Sequence, residues 1–178
     1  MPLEKGCIQV YTGDGKGKTT AALGLALRAV GRGLKVYMVQ FLKSQESGEL
    51  LAAPRLEPHF QIFRFEKKRN FFRLLSADEK LEVKRETEQA LEFIKGVLRR
   101  AECDILILDE ILGAYTNDLL SLEELLDLAA LKPDAMELIF TGRNAPPELL
   151  EAADLISEMR EVKHYYKTGV ASRDGIEK

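Results

Sequence analysis

Near its start the chain reads Val10-Tyr11-Thr12-Gly13-Asp14-Gly15-Lys16-Gly17-Lys18-Thr19-Thr20, and these residue types at this spacing suit one task, holding a chain of phosphates. Gly13, Gly15 and Gly17 let the backbone bend around an anion and turn successive N–H groups toward it. Lys18 adds a mobile point charge, and the helix that opens there presents its positive end. Thr19 carries the hydroxyl that ligates a magnesium ion riding on a polyphosphate. The match to G-x-x-x-x-G-K-[ST] lacks its first glycine, because Thr12 stands at that place. Gly13 and Gly15 supply the bend instead, and Lys16 is a second cation within the loop.

A second constellation is Asp104-Ile105-Leu106-Ile107-Leu108-Asp109-Glu110. Consecutive aliphatics ending in two acids describe a central parallel strand that delivers carboxylates to the carboxyl edge of a sheet, where such sheets bind ligands. Asp109 and Glu110 fit the acidic partner of a phosphate loop, holding magnesium directly or through water. Three reactions remain open on these residues. A phosphohydrolase would use Glu110 to orient water, and a kinase would need an acceptor pocket with a base. Attack at carbon, with the whole phosphate chain leaving, would need cations on the leaving group and no general base; Lys16, Lys18 and magnesium meet that need. A nucleotide-dependent binding module would use the same residues without turnover.

The elements that must position these groups alternate. A strand through Ile8 and Val10 leads by the loop into a helix from Thr19 to Val30, so apolar that it is expected to be covered on most faces. Val36 to Phe41 follows as a strand buried on both faces, parallel to the first through a right-handed crossover. A short helix is expected between Ser44 and Pro58, and Phe60 to Phe65 alternates like a strand nearer an edge. Ser76 and Glu79 have capping-box spacing before a long helix to about Arg100, and Ser121 and Glu124 repeat the device before a helix ending near Leu131. Met136 to Thr141 and Leu155 to Val162 complete the strands, with a short helix from Pro147 to Ala153 between them. The pattern is α/β, with a mainly parallel central sheet in one domain over residues 1–178.

Bulk properties narrow the partners. The net charge of −3 gives no global field for nucleic acid or an anionic membrane. No apolar run approaches a membrane span, and no signal peptide is expected. Cys7 and Cys103 read as buried thiols beside strands, without metal-ligand spacing, and with the preceding points the expectation is a cytoplasmic protein, or at least one of a reducing compartment. Between Arg64 and Arg73 the chain carries Arg64, Lys67, Lys68, Arg69 and Arg73 against Glu66, with Phe71 and Phe72 among them.

With these residues in view, the chain resembles the P-loop ATP:corrinoid adenosyltransferases, which place a 5′-deoxyadenosyl group on the cobalt of vitamin B12 and its precursors. The resemblance rests on residues 12–22, on Val39-Gln40-Phe41, Leu108-Asp109-Glu110 and Thr141-Gly142-Arg143, and on Val162-Lys163-His164 followed by Gly169-Val170 and Gly175-Ile176. It implies a P-loop NTPase-like (RecA-like) three-layer fold, with ATP lying reversed in the loop so that Co(I) attacks C5′ and triphosphate departs. It implies that Gly13, Asp14, Gly15, Lys16, Gly17, Lys18, Thr19 and Thr20 bind the triphosphate and that Thr19 with Glu110 and Asp109 hold Mg2+. Lys18, Thr19 and Glu110 would carry the catalysis. Asp14 and Arg28 are candidates for the nucleoside, and Arg143 for the phosphates or a surface role. The corrinoid would lie over the carboxyl edge after the third strand. Phe71 and Phe72 would stand there in place of the family's usual tryptophan, or serve as core or lid residues, and His164 would lie near cobalt or the ribose, or serve structure alone. A homodimer and a flavoprotein reductant are implied as well. Some members carry an N-terminal extension over the partner's site, and this sequence begins almost at its first strand.

Overall fold

The computed structural model describes residues 3–43, 45–70 and 72–178. Strands β1 (Ile8–Thr12), β2 (Val36–Gln40), β3 (Phe60–Phe63), β4 (Ile105–Asp109), β5 (Glu137–Thr141) and β6 (Leu155–Glu158) form one sheet, in the order β3-β2-β4-β5-β1-β6. Every neighbouring pair runs parallel. β2 and β4 are buried at each position, as strands covered on both faces must be. Along them alternate residues enter opposite cores, Met38 and Ile107 on one side of the sheet and Val39 and Leu108 on the other. β1 and β2 are parallel as expected, yet β5 and β4 lie between them. The connection through helix α1 (Lys18–Val30) therefore passes over two strands.

α1 departs from the expectation of broad burial. Its buried face is Lys18, Ala22, Ala26 and Ala29, small side chains at helical spacing that let the helix lie close on the sheet. The leucines point elsewhere; Leu27 is 62% exposed. Short helix α2 (Gly48–Ala52) lies in the segment between β2 and β3, and the turn after it buries Ala53 on α1's side of the sheet.

The opposite face carries α3 (Ala77–Arg100), α4 (Ile111–Thr116), α5 (Leu122–Ala130) and α6 (Pro147–Ala152). Both expected capping boxes form: Ser76 with Glu79, and Ser121 with Glu124, each serine side chain accepting from the N–H three residues on while the glutamate accepts from the serine N–H. α4 has no counterpart in the sequence reading; it begins directly after Glu110. β3 ends at Phe63 and β6 at Glu158, both short of their expected limits. Beyond β6 the chain makes a 3-10 turn over Tyr165–Thr168 and runs back past the phosphate loop, where Lys16 Nζ donates to the Ile176 carbonyl at 3.2 Å.

Candidate active site

The loop between β1 and α1 is shaped from behind by the end of β6. Gly13 has φ +99, and a Cβ there would lie 2.5 Å from the Met159 carbonyl oxygen; at Gly15 the same oxygen would be 2.7 Å away. Only glycine tolerates both approaches. The Gly15 N–H donates to that carbonyl at 2.6 Å, so this amide serves the fold and does not turn inward with the others as the glycine pattern suggested. Gly17, with φ +126, turns the chain into α1. Lys18 is 8% exposed and its ammonium donates to the Gly13 and Gly15 carbonyls at 2.6 and 2.8 Å. Burial holds its pKa below the usual lysine value, with Arg143 adding to the effect; Glu110, Asp14 and Asp109 work against it.

The end of β4 presents two acids in different states. Asp109 is fully buried and accepts from four donors. Thr19 Oγ1 and Thr141 Oγ1 reach one oxygen at 2.9 and 2.7 Å, while Gln40 Nε2 and Lys43 Nζ reach the other at 3.1 and 2.5 Å. Glu110 sits at φ +61, a left-handed conformation uncommon for a side chain, and its N–H donates to Thr141 Oγ1 at 2.9 Å. Such strain is typical of functional positions. The Glu110 carboxylate folds over Gly113, where a Cβ would stand 2.7 Å from Oε1. Among the described residues it receives no hydrogen-bond donor. Burial raises its pKa, and the neighbouring Asp109 raises it further, against Lys43, Lys18 and Arg143.

Lys18, Thr19 and Lys43 line a cleft of about 820 Å3, within the range of small-molecule sites, and the two acids are not part of its lining. Residues 14–20 line one side. Leu23, Leu27, Leu56 and Phe60 make an apolar wall, and His164, Tyr166 and Ile176 of the tail close the other side. Arg143 stands at the rim, donating to the Asp14 carbonyl at 3.1 Å.

The structure thus gathers Asp14, Gly15, Lys16, Gly17, Lys18, Thr19, Thr20, Arg143 and His164 around one cleft, with Gly13 beneath them. Arg28 is exposed on α1 and does not line the cleft; its charge is felt at Tyr11. Phe72 packs against the core on α3's side, under the Lys80 ammonium at 5.5 Å, and borders a separate small cavity with Leu42, Glu66 and Arg69. Phe71 lies outside the described residues. Two cations of the basic run are engaged internally: Arg64 bonds to Gln40 and Ser47, and Arg69 to Glu82 and Glu86. Sequence reasoning passed over Lys43, which contacts both Thr19 and Asp109, and of the tail that forms a wall of the cleft it singled out His164 but not Tyr166 or Lys167. The available signal for Lys43 was position, since it follows the carboxyl end of a strand adjacent to β4.

A parallel sheet with a phosphate loop after β1 and an acid pair after β4 defines a P-loop NTPase-like protein. The crystal structure of a KaiC-like protein from Pyrococcus horikoshii OT3 shares this fold, with TM-score 0.54 and 17% identity over 90% of this chain and 74% of that one. Residues 4–177 match the family described as ATP:corrinoid adenosyltransferase BtuR/CobO/CobP, and the chain belongs to that family. The corrinoid adenosyltransferase of Escherichia coli K12 is 38% identical, with 98% of this chain and 86% of that protein covered. Corrinoid adenosyltransferase CobA of Salmonella typhimurium is 36% identical over the same shares. That of Sinorhizobium sp. is 34% identical, over 98% and 81%. Membership carries the enzyme class, a transferase acting on ATP and a corrinoid.

Proposed function

We propose that the cleft holds ATP with its triphosphate along residues 13–20 and its C5′ facing a corrinoid at the carboxyl edge of the sheet. Co(I) attacks C5′ and supplies both electrons of the new cobalt–carbon bond, passing to Co(III). The C5′–O bond breaks, and its electron pair leaves on triphosphate. The observation that carries this reading is the convergence of cations on the phosphate track. Lys18 is buried beneath it, Lys16 and Lys43 line the cleft, and Arg143 stands at the rim. Fixed positive charge placed where negative charge develops lowers such a barrier, and no proton need move. Asp109, saturated by four donors, acts as a positioning residue that fixes the Thr19 hydroxyl.

Thr19 and Glu110 would hold a magnesium ion. They fit it: both offer hard oxygen, Glu110 is not engaged by any donor among the described residues, and magnesium asks for one or two carboxylates beside phosphates and water. When bound it supplies positive charge to the leaving group. No cluster of three acids, histidines or cysteines among the described residues offers a denser site.

We assign residues 1–178 to one adenosyltransferase domain, because the family match spans nearly all of them. A second copy is the partner we assign to the open edge of β6, where Leu155 and Ile156 are 43% and 48% exposed. The electron that makes Co(I) is assigned to a flavoprotein, and the reaction to the cytoplasm, where ATP and reductant meet. Both cysteines are free, and burial pushes the Cys103 thiol up to about 12. No described helix is long and apolar enough to cross a membrane.

The test is anaerobic incubation with ATP and a chemically reduced corrinoid. Triphosphate together with a light-sensitive organocobalt spectrum is expected. ADP without that spectrum would show phosphoryl transfer, with Glu110 orienting the nucleophile, and would overturn the reading.

A further inference from the structure

Lys43 follows Leu42, whose backbone has φ +54, a left-handed conformation disfavoured for a side chain of that size. Two hydrogen bonds hold it there: the Leu42 N–H donates to Glu66 Oε1 at 2.6 Å, and the Phe41 N–H donates to the Asp109 carbonyl at 2.9 Å. The strained residue thus leads directly into the acid centre. The Lys43 ammonium lies 2.5 Å from Asp109 Oδ2 and donates to Thr19 Oγ1 at 3.1 Å.

Thr19 is the hydroxyl assigned above to magnesium, so a lysine and a divalent ion compete for one place. Like charges a few ångströms apart repel strongly even at the effective dielectric of a protein surface. The lysine has somewhere to go. Its side chain is 26% exposed on a flexible stem, and Glu49 Oε1 stands 3.8 Å from the ammonium on the cleft side. Gln40 Nε2 donates to both Glu49 and Asp109 at 3.1 Å, tying the two anionic positions together. Lys43 and Glu49 both line the cleft beside the phosphate loop.

We propose that Lys43 is a moving cation: before nucleotide binds it is held by Asp109 against the Thr19 hydroxyl that would ligate the divalent ion, then swings to the Glu49 side and grips the phosphate chain. The second half rests on the triphosphate placement proposed above. The empty site is thereby kept neutral and ordered, and the same charge is delivered to the leaving group once the metal arrives.

The experiment uses the full chain and two probes whose affinities should move in opposite directions. Without nucleotide, Mn2+ binding followed by electron paramagnetic resonance should be about 10-fold tighter in Lys43→Gln than in wild type, a difference of about 1.4 kcal/mol. With chelator present, tripolyphosphate should bind Lys43→Gln about 10-fold more weakly. A lysine that merely supports the fold would weaken both or neither, which overturns the proposal. Unchanged Mn2+ affinity overturns the displacement, and unchanged tripolyphosphate affinity overturns the second position. Should Lys43→Gln fail to fold, Lys43→Arg carries the test. It should keep tripolyphosphate affinity within about threefold while still excluding Mn2+; loss of either property overturns the proposal. If wild type binds no tripolyphosphate, with or without metal, the functional reading fails with it. Binding in wild type that Lys43→Gln leaves intact removes this inference alone.

Discussion

The phosphate loop and the C-terminal tail face each other across one cleft, and they are held by different means. The loop joins two elements of the sheet's core and is pressed from behind by the Met159 carbonyl, so its conformation follows from backbone packing. The tail is held largely by its own side chains: the Tyr165 hydroxyl donates to Glu177, and the Arg173 guanidinium bonds Glu177 at 3.0 Å and lies 4.9 Å above the Tyr165 ring. Tyr166 remains 75% exposed. One wall is therefore rigid, and the other is coupled to the body by contacts such as the Lys16 bond to Ile176. A substrate with a fixed charged end and a bulky second reactant suits that division, because the charge needs preorganised donors while the other side must admit a partner.

The sharpest way to break the comparison is at the rigid wall. Lys18→Ala and Thr19→Ala should each lower turnover at least ~10²-fold, because both place positive charge, directly or through magnesium, where the leaving group becomes negative. Thr19→Ala also removes a donor from buried Asp109, so Thr19→Ser is the control; it should restore most of the rate. Single-turnover measurement of adenosylcorrinoid formation checks both. A loss below about threefold would place the triphosphate elsewhere.

Paired glycine replacements compare the walls directly. Gly13→Ala meets the Met159 carbonyl at 2.5 Å with φ +99, and backbone cannot step aside. Strain of about 1–3 kcal/mol is expected, with a fall of several degrees in Tm and loss of most nucleotide affinity. Gly169→Ala in the tail also has positive φ, +86, but a Cβ there meets nothing within 4 Å. Its cost should be limited to about 1 kcal/mol, with nucleotide affinity nearly intact. Equal effects at the two glycines would erase the distinction between a packed wall and an open one.

The same contrast governs what the amino-acid order could reveal. β1, the loop and α1 were legible because glycine spacing, a lysine-threonine pair and an apolar helix all point the same way within a few residues. The capping boxes at Ser76 and Ser121 were equally local, and the aliphatic run ending at Asp109 identified a central strand. The sheet order was not legible, since β5 and β4 insert between β1 and β2 through contacts far apart in the chain. The leucines of α1 misled for a related reason: periodicity marks apolar positions, and Leu23 and Leu27 turned out to line the cleft while alanines face the sheet. Lys43 carries no motif of its own; its role depends on the turned backbone at Leu42 and on the neighbour of β2 being β4. The tail has neither strong periodicity nor much buried surface, so only folding brings it over the loop. Phe72, which the resemblance offered either to the second substrate or to the core, is partly buried against the core on α3's side.

Glu110→Gln tests how much stability the rigid wall gives up for its acid. Burial and Asp109 hold the Glu110 pKa above the usual carboxylate range, so the ionised form is penalised in the fold. A carboxylate raised in this way leaves the protein most stable at low pH, where it is protonated in folded and unfolded chains alike. Stability is then lost as pH rises from the ordinary carboxylate range through the raised value. Glu110→Gln should accordingly raise Tm at neutral pH, and the gain should vanish on acidification below the usual carboxylate range. Magnesium-dependent nucleotide binding should weaken at the same time. A variant that melts lower than wild type at neutral pH would show that the carboxylate is stabilised where it sits.

The smallest effect belongs to the tail. Tyr165→Phe keeps the ring that Arg173 covers and removes the hydroxyl that donates to Glu177. The contact is part-buried but joins two residues of the tail, so its loss should open the tail locally and leave Tm within experimental error. What should change is local order: amides of residues 165–177 should exchange faster with solvent. Nucleotide affinity should fall by no more than about threefold, since the phosphates are gripped from the other side. Hydrogen exchange with and without ATP reads both quantities in one experiment. If ATP slows exchange in the tail of wild type but not of Tyr165→Phe, the tail closes on the nucleotide as a jointed wall. If the variant loses affinity as severely as Lys18→Ala, the tail would instead be part of the phosphate grip, and the two sides of the cleft would be mechanically alike.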